Sequence, residues 1–217
     1  MKLNPRLPTR CLKALPQTGA LLCALLLSAC GNPSDDRAPV AAANARITGL
    51  AVDGPLQGAT ACYDTNDNGA CDTGEPTSAP TGADGRFALD VPLAQAGRHR
   101  VVVDVPASAV DADTAAAVGV AFTLVAPATG TGSDHSVFVS PLSTLVQAQV
   151  DHTGATLAAA TALVQSQAGL AASPLNDFTT GSSPAQRQAA LVARLVQQML
   201  LMQHSDLAAP GVPPAPP

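Results

Sequence analysis

Residues Val52–Pro92 read VDGPLQGATACYDTNDNGACDTGEPTSAPTGADGRFALDVP. Turn signals interrupt this stretch at Asp53-Gly54-Pro55 and again at Asp84-Gly85. Glycine supplies unusual backbone angles and proline presets φ, so the apolar runs between such signals read as strands. RITGLAV and GATACY flank the first turn, and RFALDV follows the second. Further along, RHRVVVDV follows Gly97 and stops at Pro106, and VGVAFTLV and SVFV come later. A proline has no amide to donate to a ladder, so Pro106 and Pro127 mark strand ends. Short strands at this spacing predict an antiparallel β-sandwich over residues 46–139.

From Ser140 the period changes. Ser140 is a capping residue and Pro141 suits the first helical position. Leu142, Leu145, Val146 and Val150 then recur at helical spacing. Ala155–Gln167 is alanine-rich and ends near Gly169, a C-cap residue. Ser183-Pro184 repeats the cap-plus-proline start, and Leu191, Val192, Leu195, Val196, Met199 and Leu200 form a stripe expected to pack. The fold class is therefore α+β: a sandwich followed by a helical region over 140–207, with a Pro-rich, uncored tail over 208–217. With four Phe, one Tyr and no Trp, the core must be built from Val, Leu, Ile and Ala.

Residues 1–29 read as an export leader. Lys2, Arg6, Arg10 and Lys13 precede the short apolar run GALLCALLLSAC, too short and wrongly flanked for a stable membrane span. The end of that run, Leu27-Ser28-Ala29-Cys30, resembles the lipobox of bacterial lipoproteins. The resemblance implies cleavage before Cys30, acylation of Cys30, and attachment to a membrane through that residue alone. Gly31, standing where aspartate would resemble an inner-membrane retention signal, implies outer-membrane sorting. Residues 30–45 read as a flexible tether.

Removal of the leader leaves seven arginines against fifteen aspartates and one glutamate, a formal charge of −9. An acidic chain with no lysine and few aromatics is a poor nucleic-acid binder. Cys11 and Cys23 fall in the leader and Cys30 is taken by lipid. Cys62 and Cys71 remain, an even pair for which a disulfide is the default in an oxidising compartment.

Within the opening stretch, Asp64 begins a twelve-residue frame that ends at Glu75. Asp64, Asn66 and Asn68 stand at positions 1, 3 and 5, Gly69 at 6, the Ala70 carbonyl at 7, Asp72 at 9 and Glu75 at 12. This is the order of oxygen donors in an EF-hand calcium loop, where the last carboxylate binds through both oxygens. The competing reading is a polar hairpin tip. A structural, exported Ca²⁺ site of this charge would be weak, roughly 10⁻⁵ to 10⁻³ M. Zinc needs four softer ligands, and two cysteines without a nearby histidine fall short.

The strand, the G-x-L-x-G-A-like turn, the acidic loop and Asp84-Gly85-Arg86-Phe87 together resemble carboxypeptidase regulatory-like domains and the B-type repeats of Gram-positive adhesins. The resemblance implies a prealbumin-like or Ig-like β-sandwich, calcium in some members, and no catalytic machinery. FVSPLSTLVQ, Phe138–Gln147, resembles a segment that follows such modules in proteobacterial exported proteins. The loop disulfide and the stretch 110–132 have no counterpart in that pattern.

Asp134-His135 with Ser140 or Ser143 offers a hydrolase reading, but no G-x-S-x-G elbow accompanies it. His99, His152 and His204 show no metal spacing, and Gly130-Thr131-Gly132-Ser133 lacks the lysine of a phosphate loop. The expectation is a non-catalytic, lipid-anchored envelope protein with a structural or adhesive role and an envelope protein or glycan as partner. The alternative is a carbohydrate- or peptide-binding module.

Overall fold

A computed structural model describes residues 43–208, with side chains described as far as 202. The leader, Cys30, most of the tether and the Pro-rich tail lie outside the described residues. Nine strands and three helices follow in order: β1 (Asn44–Ala51), β2 (Leu56–Gln57), β3 (Thr60–Tyr63), β4 (Arg86–Pro92), β5 (Val101–Val105), β6 (Val110–Asp111), β7 (Ala116–Ala117), β8 (Phe122–Ala126), β9 (His135–Val139), α1 (Pro141–Thr153), α2 (Leu157–Gln167) and α3 (Pro184–Ala208).

Two three-stranded sheets, ordered β4-β1-β9 and β3-β5-β8, carry the core, and β2-β6-β7 forms a small third sheet. All pairings are antiparallel except one: β1 pairs with β9 in parallel, Thr48 opposite Ser136. The expectation of a purely antiparallel arrangement is corrected there. Strand β1 alternates strictly, with Ala45, Ile47 and Ala51 fully buried and Arg46 and Thr48 exposed. Period-two alternation puts one face of the strand in the core. The buried faces of both sheets meet in one hydrophobic cluster that includes Ile47, Leu89, Val91, Val137 and Val139 from one sheet and Tyr63, Val101, Val103, Val105 and Leu124 from the other. Gly49 is required in that layer, because a Cβ there would fall 2.0 Å from Cζ of Phe87, its cross-strand partner.

Some strands are shorter than their apolar runs. Arg98–Arg100 are consumed by a turn before β5, and Val118–Ala121 precede β8. β1 begins at Asn44, two residues inside the segment read as tether.

Helix α1 packs on the β-layers, and α2 and α3 pack chiefly on α1. Ser140 is the N-cap of α1, with a reciprocal capping box: the Ser143 N–H donates to Ser140 Oγ and the Ser140 N–H to Ser143 Oγ. Pro141 occupies the first turn and Gly154 closes the helix in the left-handed region. A second cluster joins Leu50, Val52 and Phe138 of the β-region to Leu142, Leu170, Phe178, Ala189 and Ala193. A third joins α1 to α2 through Val146, Ala160 and Val164. The apolar stripe of α3 divides. Ala189, Val192, Ala193, Val196 and Gln197 face inward, whereas Leu191, Leu195 and Met199 are each more than half exposed. The expectation that the whole stripe packs is corrected: Val192 and Val196 turn inward beside Ala189 and Ala193, and the larger Leu191, Leu195 and Met199 do not. Among the described residues, no helix is long and apolar enough to cross a membrane.

Candidate functional site

The acidic loop is the tip of an excursion from β3. Beyond the tip, residues 76–81 run back beside β3. Tyr63 N–H donates to Pro76 O, Ser78 N–H to Ala61 O and Thr81 N–H to Ala59 O, all at 2.8–2.9 Å. The hydroxyls of Ser78 and Thr81 accept from the Ala61 and Ala59 amides at 3.0 Å. The return segment therefore satisfies the outer edge of β3 and fixes both ends of the loop.

Cys62, in β3, is bonded to Cys71, in the loop. The bridge ties position 8 of the twelve-residue frame to the strand from which the loop leaves. The expected pairing is thus the one present.

Within the loop, position-1 Asp64 is completely buried. Its Oδ1 accepts from the Asn68 amide at 3.1 Å and its Oδ2 from the Gly69 amide at 2.7 Å. Asn66 Oδ1 accepts from the Asn68 amide, and Asn68 Oδ1 from the Ala70 amide. These nested turns wind the backbone of positions 1–7 around its own side-chain oxygens, and Gly69, at φ 80°, takes the left-handed angle the winding demands. Asp67 is also left-handed, at φ 57°, a conformation that aspartate tolerates better than most residues.

The side chains at positions 3, 5 and 9 meet. Asn66 Nδ2 and Asn68 Nδ2 both donate to Asp72 Oδ2, at 2.8 and 2.7 Å. Those hydrogen bonds, Asn66 first, hold the Asp72 carboxyl below its ordinary range. Glu75 turns elsewhere: its Oε1 accepts from the Thr65 amide at 2.7 Å and its Oε2 from the Asp72 amide at 3.1 Å. Position 7, Ala70, lies exposed on the loop. Among the described residues, no three Asp, Glu, His or Cys side chains converge as a metal site would require. The frame thus brings Asn66, Asn68 and Asp72 together, holds Asp64 beneath them, and leaves Glu75 bracing the loop's neck.

Sequence reasoning missed the base of the loop. Arg100, just before β5, is nearly buried and reaches three aspartates: Nε lies 3.5 Å from Asp64 Oδ2 and 3.8 Å from Asp67 Oδ1, and a terminal nitrogen lies 2.8 Å from Asp151 of α1. His99 Nδ1 stands 3.1 Å from Asp67 Oδ2. The Tyr63 hydroxyl donates to Gln95 O at 2.6 Å and accepts from the Arg98 and His99 amides. Arg100, just before β5, and Tyr63, at the end of β3, had no motif to mark them; only the fold brings them together at the base of the loop.

The residues of the hydrolase reading are held by other bonds. Ser143 is fully buried, its Oγ 2.7 Å from Val125 O and engaged in the α1 cap. Asp134 Oδ1 accepts from the Arg46 amide, and His135 Nδ1 lies 2.7 Å from Ser133 O.

Compared with known proteins, the chain matches no family model, no curated protein and no solved structure.

Proposed function

We propose that this is an exported, lipid-anchored cell-envelope protein whose β-region is a non-catalytic structural or adhesive module of the prealbumin-like type, stabilised by Ca²⁺ at the loop 64–75. Cys30 carries the lipid and the outer membrane is the destination; the partner is an envelope protein or glycan. The observation that carries the calcium reading is the nested winding of Asp64, Asn66 and Asn68 about one side of the loop, with Asp72 against it. The Asp64 and Asn68 turns hold these oxygens on one side of the loop.

A cation held there would take oxygens from Asp64, Asn66, Asn68, Asp72 and the Ala70 carbonyl. Glu75, at position 12, would complete the set. Arg100, 3.5 Å from Asp64, would oppose the incoming charge, which supports a weak affinity for such a loop. The disulfide suits the export reading, because oxidising compartments preserve such bonds.

The test is thermal melting of the chain from Cys30 onward, for wild type and Glu75→Gln, in millimolar calcium and in chelator. Calcium should raise the wild-type midpoint by several degrees and the variant's by much less. Equal midpoints in all four conditions remove the site. Mass spectrometry of protein extracted from membranes checks the anchor, and an unmodified Cys30 refutes it.

A further inference from the structure

A cavity of about 250 Å³ lies between the turn that follows β1 and the first half of α3. Val52, Asp53 and Pro55 line it from the turn, Phe178 from the segment before α3, and Arg187 and Ala190 from α3 itself. Asp113 and Arg194 also border it, so its walls carry both signs of charge. Arg194 is ion-paired with Asp113. Arg187 is exposed and gives one N–H to the Ser182 carbonyl, which leaves further guanidinium donors free to serve a ligand.

Asp53 has no such partner. Its Oδ1 is shut away from solvent and accepts no hydrogen bond. Its Oδ2 is not shut away and accepts none either, so a ligand in the cavity meets Asp53 through Oδ2. Further carboxylates crowd the same turn. A Cβ on Gly54 would fall 2.1 Å from Asp111 Oδ1 and 3.0 Å from Asp113 Cγ. Burial, then the Asp111 carboxylate, raise the Asp53 carboxyl to about 6, with Arg194 opposing and Asp113 adding. A carboxylate so placed gains from any cation brought against it. Among the described residues, no three Asp, Glu, His or Cys side chains converge as a metal site would require, so an organic ammonium fits this place better than a metal ion.

We propose that this cavity binds a small free amino acid as its zwitterion, with the ammonium against Asp53 and the carboxylate against Arg187. An ammonium is all donor and supplies the hydrogen bonds that the Asp53 carboxylate lacks. The planar fork of a guanidinium matches a carboxylate, and both contacts are of the charge-assisted kind. Val52, Pro55, Phe178 and Ala190 leave apolar wall for a short side chain. The cavity is smaller than drug-sized sites, which suits a ligand of few heavy atoms. The inference stands on this cavity and draws nothing from the calcium loop.

The test is isothermal titration of the full chain, in mild detergent at pH 7, with glycine, L-alanine, β-alanine and γ-aminobutyrate. Ethylamine and propionate, which carry one charge each, are the controls. At least one of the amino acids should bind with a Kd of roughly 1 mM or tighter, as ligands of few atoms allow. The single-charge controls should bind about tenfold more weakly or not at all. Asp53→Asn and Arg187→Gln should each weaken binding about tenfold or more, the scale of one charge-assisted hydrogen bond. The first variant keeps the shape of the side chain and the second alters an exposed one, so both should melt as folded proteins. The ammonium needs Asp53 charged, so wild-type affinity should rise as the pH is brought up toward about 6 and level off above it. Asp111 of β6, Asp113 just beyond it, and Arg187 and Arg194 of α3 are the other charged groups around Asp53, and they stay in place in Asp53→Asn, which should lose that rise. No binding by any of the four amino acids, controls that bind as tightly as they do, unchanged affinity in either variant, or an affinity that falls toward pH 6 would each overturn the proposal. Displacement of the amino acid by a divalent cation would do so too, by making this a metal site.

Discussion

Replacing both cysteines, Cys62→Ala with Cys71→Ala, isolates what the bridge contributes. The bonded residues are nine apart in sequence. Loop-closure entropy for a ring of that size is about 2.6 kcal/mol at 25 °C, lost from the unfolded ensemble when the bridge forms. Cys62 is fully buried at the centre of β3, so removing its sulfur adds about 1 kcal/mol of lost packing. The expected total is about 3–4 kcal/mol, or roughly a 6–14 °C fall in midpoint for a domain of this size. Urea denaturation followed by far-UV circular dichroism measures it. The m-value should rise, because an uncrosslinked unfolded chain exposes more surface. Reducing the wild type with dithiothreitol should give nearly the same midpoint. A loss below about 1 kcal/mol would refute the reasoning. It would mean that the hydrogen bonds of Asp64, Glu75 and the return segment 76–81 already restrict the loop in the unfolded chain or hold it unaided in the folded one.

Arg100→Leu should cost about 2–4 kcal/mol, because it leaves the buried Asp64 carboxylate without its cation; adding Asp64→Asn should recover part of that loss, and a fully additive double variant would refute the coupling. Burial, then the Asp111 carboxylate, raises the Asp53 carboxyl from 3.8 to about 6, with Asp113 adding and Arg194 opposing. The folded state therefore favours protonated Asp53, so its contribution is fully present below about pH 3.8 and is lost as the pH climbs through about 6. Asp53→Asn, neutral throughout, should flatten that part of the stability curve and exceed wild type at pH 7 by about 1 kcal/mol, discounted for partial solvation. Chemical melts at intervals from pH 4 to 7 decide it, and parallel curves for the two proteins would count against the assignment.

Local signals were legible where one residue type does one physical task. Ser140-Pro141 announced α1 because a hydroxyl and a preset φ are what a helix start needs. Cys62 and Cys71 announced each other because two thiols remained after the leader and lipid cysteine were set aside. Pairing was less legible. The alternation of β1 says which side chains are buried but not which strand lies beside it, so the parallel partner β9 was out of reach. Helix α3 misled for a related reason. Apolar bulk marks Leu191, Leu195 and Met199, yet close packing against α1 and the cluster around Phe178 selects Ala189 and Ala193. Nothing marked Gln197 as buried, because polarity is visible in sequence and burial is not. In the acidic loop the order of donors was readable, whereas the swing of Glu75 toward the Thr65 amide depends on rotamers no spacing encodes.

The parallel pairing of β1 with β9 has a kinetic consequence. Thr48 and Ser136 share a hydrogen bond across 88 residues of chain, so the central strand of its sheet waits for the last. Contacts of such separation slow folding, since much of the chain must be ordered before they form. A chain in which β9 has not yet docked carries β1 with one edge bare, able to join the wrong neighbour. The first strand of the described residues thus has its second edge covered only when β9 closes against it.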